Sequence, residues 1–188
     1  MFLATTADQT FWKTDKKILF LGEWCRRYDQ KHVWSKLDHE VLPYPWDDRA
    51  RMYQAYHYLR PLCDRIIETL GYHLNGRHGV DHSTRYWEIL IGPWLTYMVD
   101  ILYDRYLCIQ SAADLNRVTH TWISDPPPER WVLGDFSGLY PFLKDDFNQY
   151  LYGRIIALLA PFSFEIKPEE TRLDFPRPDE APSLIHWT

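Results

Sequence analysis

Neither a Gly-x-Gly-x-x-Gly turn nor a P-loop occurs among the 8 glycines of this 188-residue sequence. A dinucleotide or nucleoside triphosphate cradled by a glycine loop is therefore not expected. Cysteine is sparser still. Cys25, Cys63 and Cys108 are odd in number and far apart, so they suggest neither a disulfide framework nor a zinc ribbon and read as reduced thiols of a cytoplasmic protein. Positive charge is not in excess, the formal net charge being -5. Nothing is left over to neutralise a phosphate backbone, and nucleic acid is not an expected partner. Long apolar runs are missing too. The longest, Ile89 to Val99, is broken by Gly92-Pro93 and ends at Asp100, short of the roughly 18–20 residues a membrane span requires. No transmembrane segment is expected, and Met1 to Asp8 has neither the basic region nor the apolar stretch of a signal peptide.

What the chain does hold is apolar and aromatic material: 46% hydrophobic residues, with 9 Trp and 13 Tyr. That is enough for one core, and the reading is a single α/β domain over residues 1–160. The rings suit a ring-lined cleft or an aromatic core equally. Two short apolar runs open the sequence, Phe2 to Thr5 and Lys17 to Gly22. The second is continuous and closed by glycine, the pattern of a strand buried on both faces of a parallel sheet. Val41-Leu42-Pro43-Tyr44-Pro45 is held extended by its prolines and reads as a third strand or a fixed loop.

From Asp47 the period changes. Met52, Tyr56, Leu59, Cys63, Ile66, Leu70 and Leu74 trace one face of a helix, with Asp47 or Asp48 as N-cap, Pro61 expected to kink or divide it, and Gly76 or Gly79 as its stop. A second helix is expected from about Ser83, its stripe running through Trp87, Leu90, Ile91, Trp94, Met98, Ile101 and Leu102, with a bend at Gly92-Pro93. Thr119 to Ser124 reads as a strand, and Leu139 through Leu159 as a third helix. From Pro161 five prolines and many charges replace the pattern, so 161–188 is expected to be an extended or poorly ordered tail, or one that awaits a partner. Strands followed by helices favour a Rossmann-like three-layer α/β domain, with a small parallel sheet and long kinked helices. Phe2–Thr5 and Ile18–Leu21 are expected to pair in parallel.

Three blocks carry a family resemblance: Lys16-Lys17-Ile18-Leu19-Phe20-Leu21-Gly22-Glu23-Trp24-Cys25, Val41-Leu42-Pro43-Tyr44-Pro45-Trp46-Asp47-Asp48-Arg49, and Arg85-Tyr86-Trp87-Glu88-Ile89-Leu90-Ile91-Gly92-Pro93-Trp94-Leu95. In their order and spacing they resemble a family of bacterial transferases linked to surface-polysaccharide biosynthesis, over most of residues 1–160. The resemblance implies a likeness to two-domain glycosyltransferases much longer than this chain. It implies that the chain is an N-terminal, acceptor-side domain, truncated and inactive alone. An activated sugar donor, a glycan acceptor and a second domain or partner chain would be its partners, with no cofactor. The resemblance assigns no catalytic residue.

Ligands of an open α/β sheet bind beyond the carboxyl ends of the strands, which singles out Thr5-Thr6 and Gly22-Glu23-Trp24-Cys25. Glu23 suits a general base for an acceptor hydroxyl, provided burial raises its pKa; it suits equally a helix cap or an ion pair with Arg26 or Arg27. Trp24 and Trp46 suit stacking on a sugar ring or base, while Trp87 and Trp94 fit core packing better. Arg85, at a helix start, suits an anion anchor. Asp47-Asp48 can bind a divalent cation but are explained by one N-cap, and His73, His78 and His82 match no zinc pattern. No metal site is expected. If the site is one, Glu23, Trp24, Trp46 and Arg85 line a single concave surface. A binding or protein-interaction module without catalysis is the alternative.

Overall fold

In the computed structural model, residues 1–131 and 144–168 are described. Five short strands form one sheet in the order β3-β2-β1-β4-β5: β1 (Phe2–Ala4), β2 (Ile18–Phe20), β3 (His39–Val41), β4 (His120–Ile123) and β5 (Ser163–Ile166). Every pairing is parallel, and β1 and β2 meet in the register Phe2 to Ile18 and Ala4 to Phe20. The expected pairing of the two opening strands is present. Their connection is too short for a crossover helix, and a single 3-10 turn at Gln9–Phe11, capped by Asp8, fills it. Phe2, Leu3, Ala4, Ile18, Leu19 and Phe20 are all nearly inaccessible. Consecutive side chains point to opposite faces, so both faces of β1 and β2 are covered, as three-layer packing demands. Each such Phe, Leu or Ile contributes about 1.5–3 kcal/mol by leaving water. The fold is α/β and Rossmann-like.

The chain divides into two compact units. The first, residues 1–41 and 116–188, contains the sheet, the single-turn helix α1 (Lys31–Trp34) and α4 (Asp145–Leu159). The third strand lies just upstream of the proline-rich segment read as a strand or loop; Pro45–Asp47 is a 3-10 turn. The sheet also continues beyond residue 160. Ser163–Ile166 forms edge strand β5, each of its residues pairing with β4, although the sequence from 161 onward reads as a tail. Only one of its four residues is even partly buried, so the apolar alternation that marks a strand is missing. The rest of the tail, 169–188, lies outside the described residues.

The second unit, Leu42–Leu115, is a helical hairpin of α2 (Arg49–His78) and α3 (Thr84–Asp114). Asp48 caps α2 by accepting from the Ala50 and Arg51 amides, and Gly79, at φ 65°, ends it in the left-handed region that glycine enters without cost. Ser83 caps α3. Asn75 ties the turn, bonding both the amide and the carbonyl of His82 and accepting from the Trp87 indole at 3.0 Å. Pro61 does not divide α2, nor does Gly92-Pro93 divide α3. Packing between the two helices outweighs the lost amide bonds, with Leu59, Cys63, Ile67, Trp87, Leu95 and Val99 in one cluster.

The stripes differ from those read in the sequence. On α2 the buried line is Ala55, Leu59, Cys63, Ile67 and Gly71, while Met52 and Tyr56 are exposed. Small residues face inward because Trp87 needs the room: a β-carbon on Gly71 would come within 2.8 Å of its ring. On α3, Leu90, Trp94 and Leu102 are exposed. Trp87 is a core residue; Trp94 is not. Of the helix read over 139–159, Asp145–Leu159 is α4, and residues 139–143 lie outside the described set.

Candidate functional site

The strand order places the site. From β1 the chain proceeds outward through β2 to β3, and then returns to the other side of β1 for β4 and β5. The order reverses between β1 and β4, and at such a switch point the connections leave the sheet in opposite directions and open a crevice at the carboxyl edge. The residues there are polar and buried. Thr5 and Thr6 follow β1, Ser124 follows β4, and Gln149 comes from α4, none more than 4% exposed.

Asp145, the first residue of α4, closes onto the end of β1. Its Oδ2 accepts the Thr6 hydroxyl at 2.5 Å and the Ala7 amide at 3.0 Å. Thr6 Oγ1 in turn accepts the Asp8 amide at 3.0 Å, and the Trp12 indole donates to the Thr6 carbonyl at 2.8 Å. Burial pushes the Asp145 carboxyl above its ordinary value, against the opposing pull of the Thr6 and Ala7 hydrogen bonds. One turn further along α4 is Gln149 and another turn on is Gly153. A β-carbon there would lie 2.9 Å from the Ser124 carbonyl, so glycine is what lets α4 lie against β4. Residues four apart share a helix face. Asp145, Gln149 and Gly153 thus run in line from the end of β1 to the end of β4. Gln149 Nε2 and Ser124 Oγ, both inaccessible, have no hydrogen-bond partner among the described residues. The sequence reading named Thr6 but missed Asp145, Ser124 and Gln149.

Gly22 and Trp24 lie at the end of β2. The Trp24 ring covers Gly22 so closely that a β-carbon would meet it at 2.1 Å, and it stacks on the Tyr152 ring, 6.3 Å away and 4° from parallel. Glu23 is 74% exposed, and both its oxygens accept from Arg26 Nη2 at 2.5 Å. This is the ion pair with Arg26 that the sequence also allowed. Arg26 is itself positioned by His39 Nε2, 3.2 Å from its Nη1, and by the Trp34 ring.

Trp46 and Arg85 belong to the second unit. The Trp46 indole donates to Asp104, which is buried and also holds Arg105. Arg85 is 77% exposed and pairs with Glu88, one turn along, at 3.1 Å. His82 stacks on Tyr86 at 3.9 Å. Among the described residues no group of three or more His, Cys, Asp or Glu is arranged to hold a metal ion, and no helix is long and apolar enough to cross a membrane. The three cysteines are buried thiols, and burial raises the pKa of Cys63.

A Rossmann-like sheet with buried polar residues at its switch point suits many chemistries, so the fold alone assigns none. The chain matches no curated protein and no solved structure. Over residues 1–180, however, it matches the LIC12162 family transferase, and since that match takes in nearly the whole chain, the protein belongs to this family of transferases.

Proposed function

We propose that this chain is the acceptor-side domain of a transferase that, together with a second domain or partner chain, moves a glycosyl group from an activated sugar donor to a glycan acceptor in surface-carbohydrate biosynthesis, with the carboxyl edge of the sheet as the acceptor side. The observation that carries this reading is the switch point between β1 and β4, where buried hydroxyl, amide and carboxyl groups come together. A sugar ring is both donor and acceptor of hydrogen bonds, and side chains of these types match it. Trp24 supplies an aromatic face beside them. Trp46 and Arg85, whose polar groups are taken up by Asp104 and Glu88, have no part in the proposed chemistry.

Within this reading Glu23 is the general base for the attacking acceptor hydroxyl in the complete enzyme, which requires that acceptor binding displace Arg26 and bury the carboxylate, now 74% exposed. Glu23→Gln is then expected to lower acceptor-dependent release of the leaving nucleotide by about 100-fold or more. Its melting temperature should stay at that of the wild type, since the pair is exposed and worth little. Unchanged turnover would remove Glu23 from the mechanism.

The broader test is a panel of nucleotide sugars screened by thermal shift, because a ligand that binds only the folded state raises the melting temperature with its concentration over Kd. At least one sugar nucleotide should shift the transition, and acceptor-dependent nucleotide release should follow only when the second domain or partner chain is supplied. A panel without any shift would sink the glycosyl-transfer reading. A second reading, an interaction module without catalysis, has one observation in its favour: α3 exposes Ile89, Leu90, Trp94 and Leu102, more apolar surface than a hairpin usually shows to water. Binding of a sugar nucleotide without transfer to any acceptor would favour it.

A further inference from the structure

Buried polar groups are almost always hydrogen-bonded, and each one that is not calls for an explanation, a partner supplied from outside the chain being one. Two such atoms, Gln149 Nε2 and Ser124 Oγ, belong to the switch-point edge. Gln149 and Ser124 are 4% and 1% exposed. Along one face of α4, Gln149 lies between Asp145, bonded to Thr6, and Gly153, which abuts the Ser124 carbonyl. The unpartnered atoms thus fall along the line joining the ends of two neighbouring strands. An amide nitrogen donates, a hydroxyl both donates and accepts, and the Asp145 carboxyl beyond them is an acceptor.

We propose that Gln149, Ser124 and Asp145 form a subsite for an uncharged, hydroxyl-bearing ring, the sugar of the glycan acceptor. This rests on the glycosyl-transfer reading above and goes further by naming the groups that hold the acceptor and the charge they exclude. A phosphate or carboxylate is excluded on two grounds. The first turn of α4 already carries Asp145 and Asp146, which satisfy the attraction of a helix N-terminus for negative charge. A second anion would also face the Asp145 carboxyl, whose hydrogen-bond partners among the described residues are the Thr6 hydroxyl and the Ala7 amide rather than a Lys or Arg. The elevated pKa of Asp145 is in keeping with a site that resists charge.

The test is binding of neutral methyl glycosides, the α- and β-methyl glycosides of glucose, galactose, mannose and N-acetylglucosamine, to the full chain by saturation-transfer NMR, with glucose 1-phosphate as the charged probe. At least one glycoside is expected to bind, glucose 1-phosphate to bind more weakly, and both Ser124→Ala and Gln149→Met to reduce glycoside affinity by about tenfold, the loss for an unreplaced hydrogen bond. Neither variant should melt lower than the wild type, because each replaces a buried group without a partner by an apolar one. A fall in melting temperature of more than about 2 °C in either would mean that the group is bonded within the fold, and would overturn the proposal. So would unchanged affinity in both variants, tighter binding of glucose 1-phosphate, or no glycoside bound. Each of these would leave the thermal-shift and nucleotide-release results, and the glycosyl-transfer reading they test, to stand or fall separately.

Discussion

Asp145→Ala is expected to destabilise the sheet-containing unit by about 2–3 kcal/mol, because it leaves two buried donors without their acceptor. The Thr6 hydroxyl and the Ala7 amide both end on Asp145 Oδ2, and Ala7 is 4% exposed, so water does not readily replace the lost carboxylate. Part of the cost is returned, since a buried carboxylate is itself poorly solvated. The same desolvation gives a second readout. Burial raises the Asp145 pKa above the ordinary 3.8, so the folded chain holds this proton more tightly than the unfolded chain does. As pH rises through 3.8 the unfolded state releases the proton first, and the wild type loses stability until the pH passes the folded value. Asp145→Asn keeps an oxygen for Thr6 and Ala7 and has no proton to lose. Urea unfolding of the two proteins across this range should therefore show the wild type falling relative to Asp145→Asn as the pH rises, with a constant difference above the folded pKa. Parallel stability curves would mean that Asp145 is not buried against β1.

Much of this arrangement could be read in advance, and the part that could not has a physical reason. Ile18-Leu19-Phe20-Leu21-Gly22 announced a doubly covered strand because burial on both faces leaves an uninterrupted apolar run. The ends of the hairpin helices were narrowed to neighbouring choices: of Asp47 and Asp48 it is Asp48 that caps α2, of Gly76 and Gly79 it is Gly79 that ends it, and the second helix, read from about Ser83, is capped by that residue. The edge strands were harder. His39-Glu40-Val41 is partly buried throughout and Ser163-Phe164-Glu165-Ile166 is mostly exposed, and exposure removes the hydrophobic pattern on which strand reading depends.

The switch-point cluster was the least legible. Asp145 matters because it begins α4, and the apolar period beginning at Leu139 gave no sign that the described helix starts there. Gln149 is polar on a helix face otherwise buried by Phe147, Tyr152 and Ile156, which a sequence shows only as a break in the stripe. Glu23, the most conspicuous candidate, has its carboxylate in an exposed ion pair with Arg26. Sequence spacing located the edge of the sheet correctly at Thr6 and Gly22, but the side chains that converge there from α4 are set by tertiary packing.

The second large effect is expected at Gly153, where helix propensity and packing make opposite predictions. In an exposed helix interior, glycine to alanine adds about 1 kcal/mol of stability. At Gly153 the new β-carbon would stand 2.9 Å from the Ser124 carbonyl oxygen and 3.3 Å from Ile123 Cβ. The nearer atom is strand backbone, which has no rotamer through which to yield, so α4 must move away from β4. Neighbouring Tyr152 and Ile156 are 1% and 0% exposed, and moving the helix loosens their packing as well. Overpacking of this kind costs about 1–3 kcal/mol, so Gly153→Ala is expected to lose up to about 2 kcal/mol net of its gain in propensity. Gly153→Leu has no displacement small enough to keep the sheet covered and is expected to lose more than about 4 kcal/mol, the range reserved for gross core disruption. Chemical denaturation of both variants, followed by far-ultraviolet circular dichroism, measures the two losses. An alanine variant more stable than the wild type would show that α4 does not approach β4 this closely, and the line of Asp145, Gln149 and Gly153 across the switch point would lose its anchor. If instead Gly153→Ala is destabilised as expected, the shift it imposes on α4 should also displace Gln149, one turn away, and lower glycoside binding in parallel.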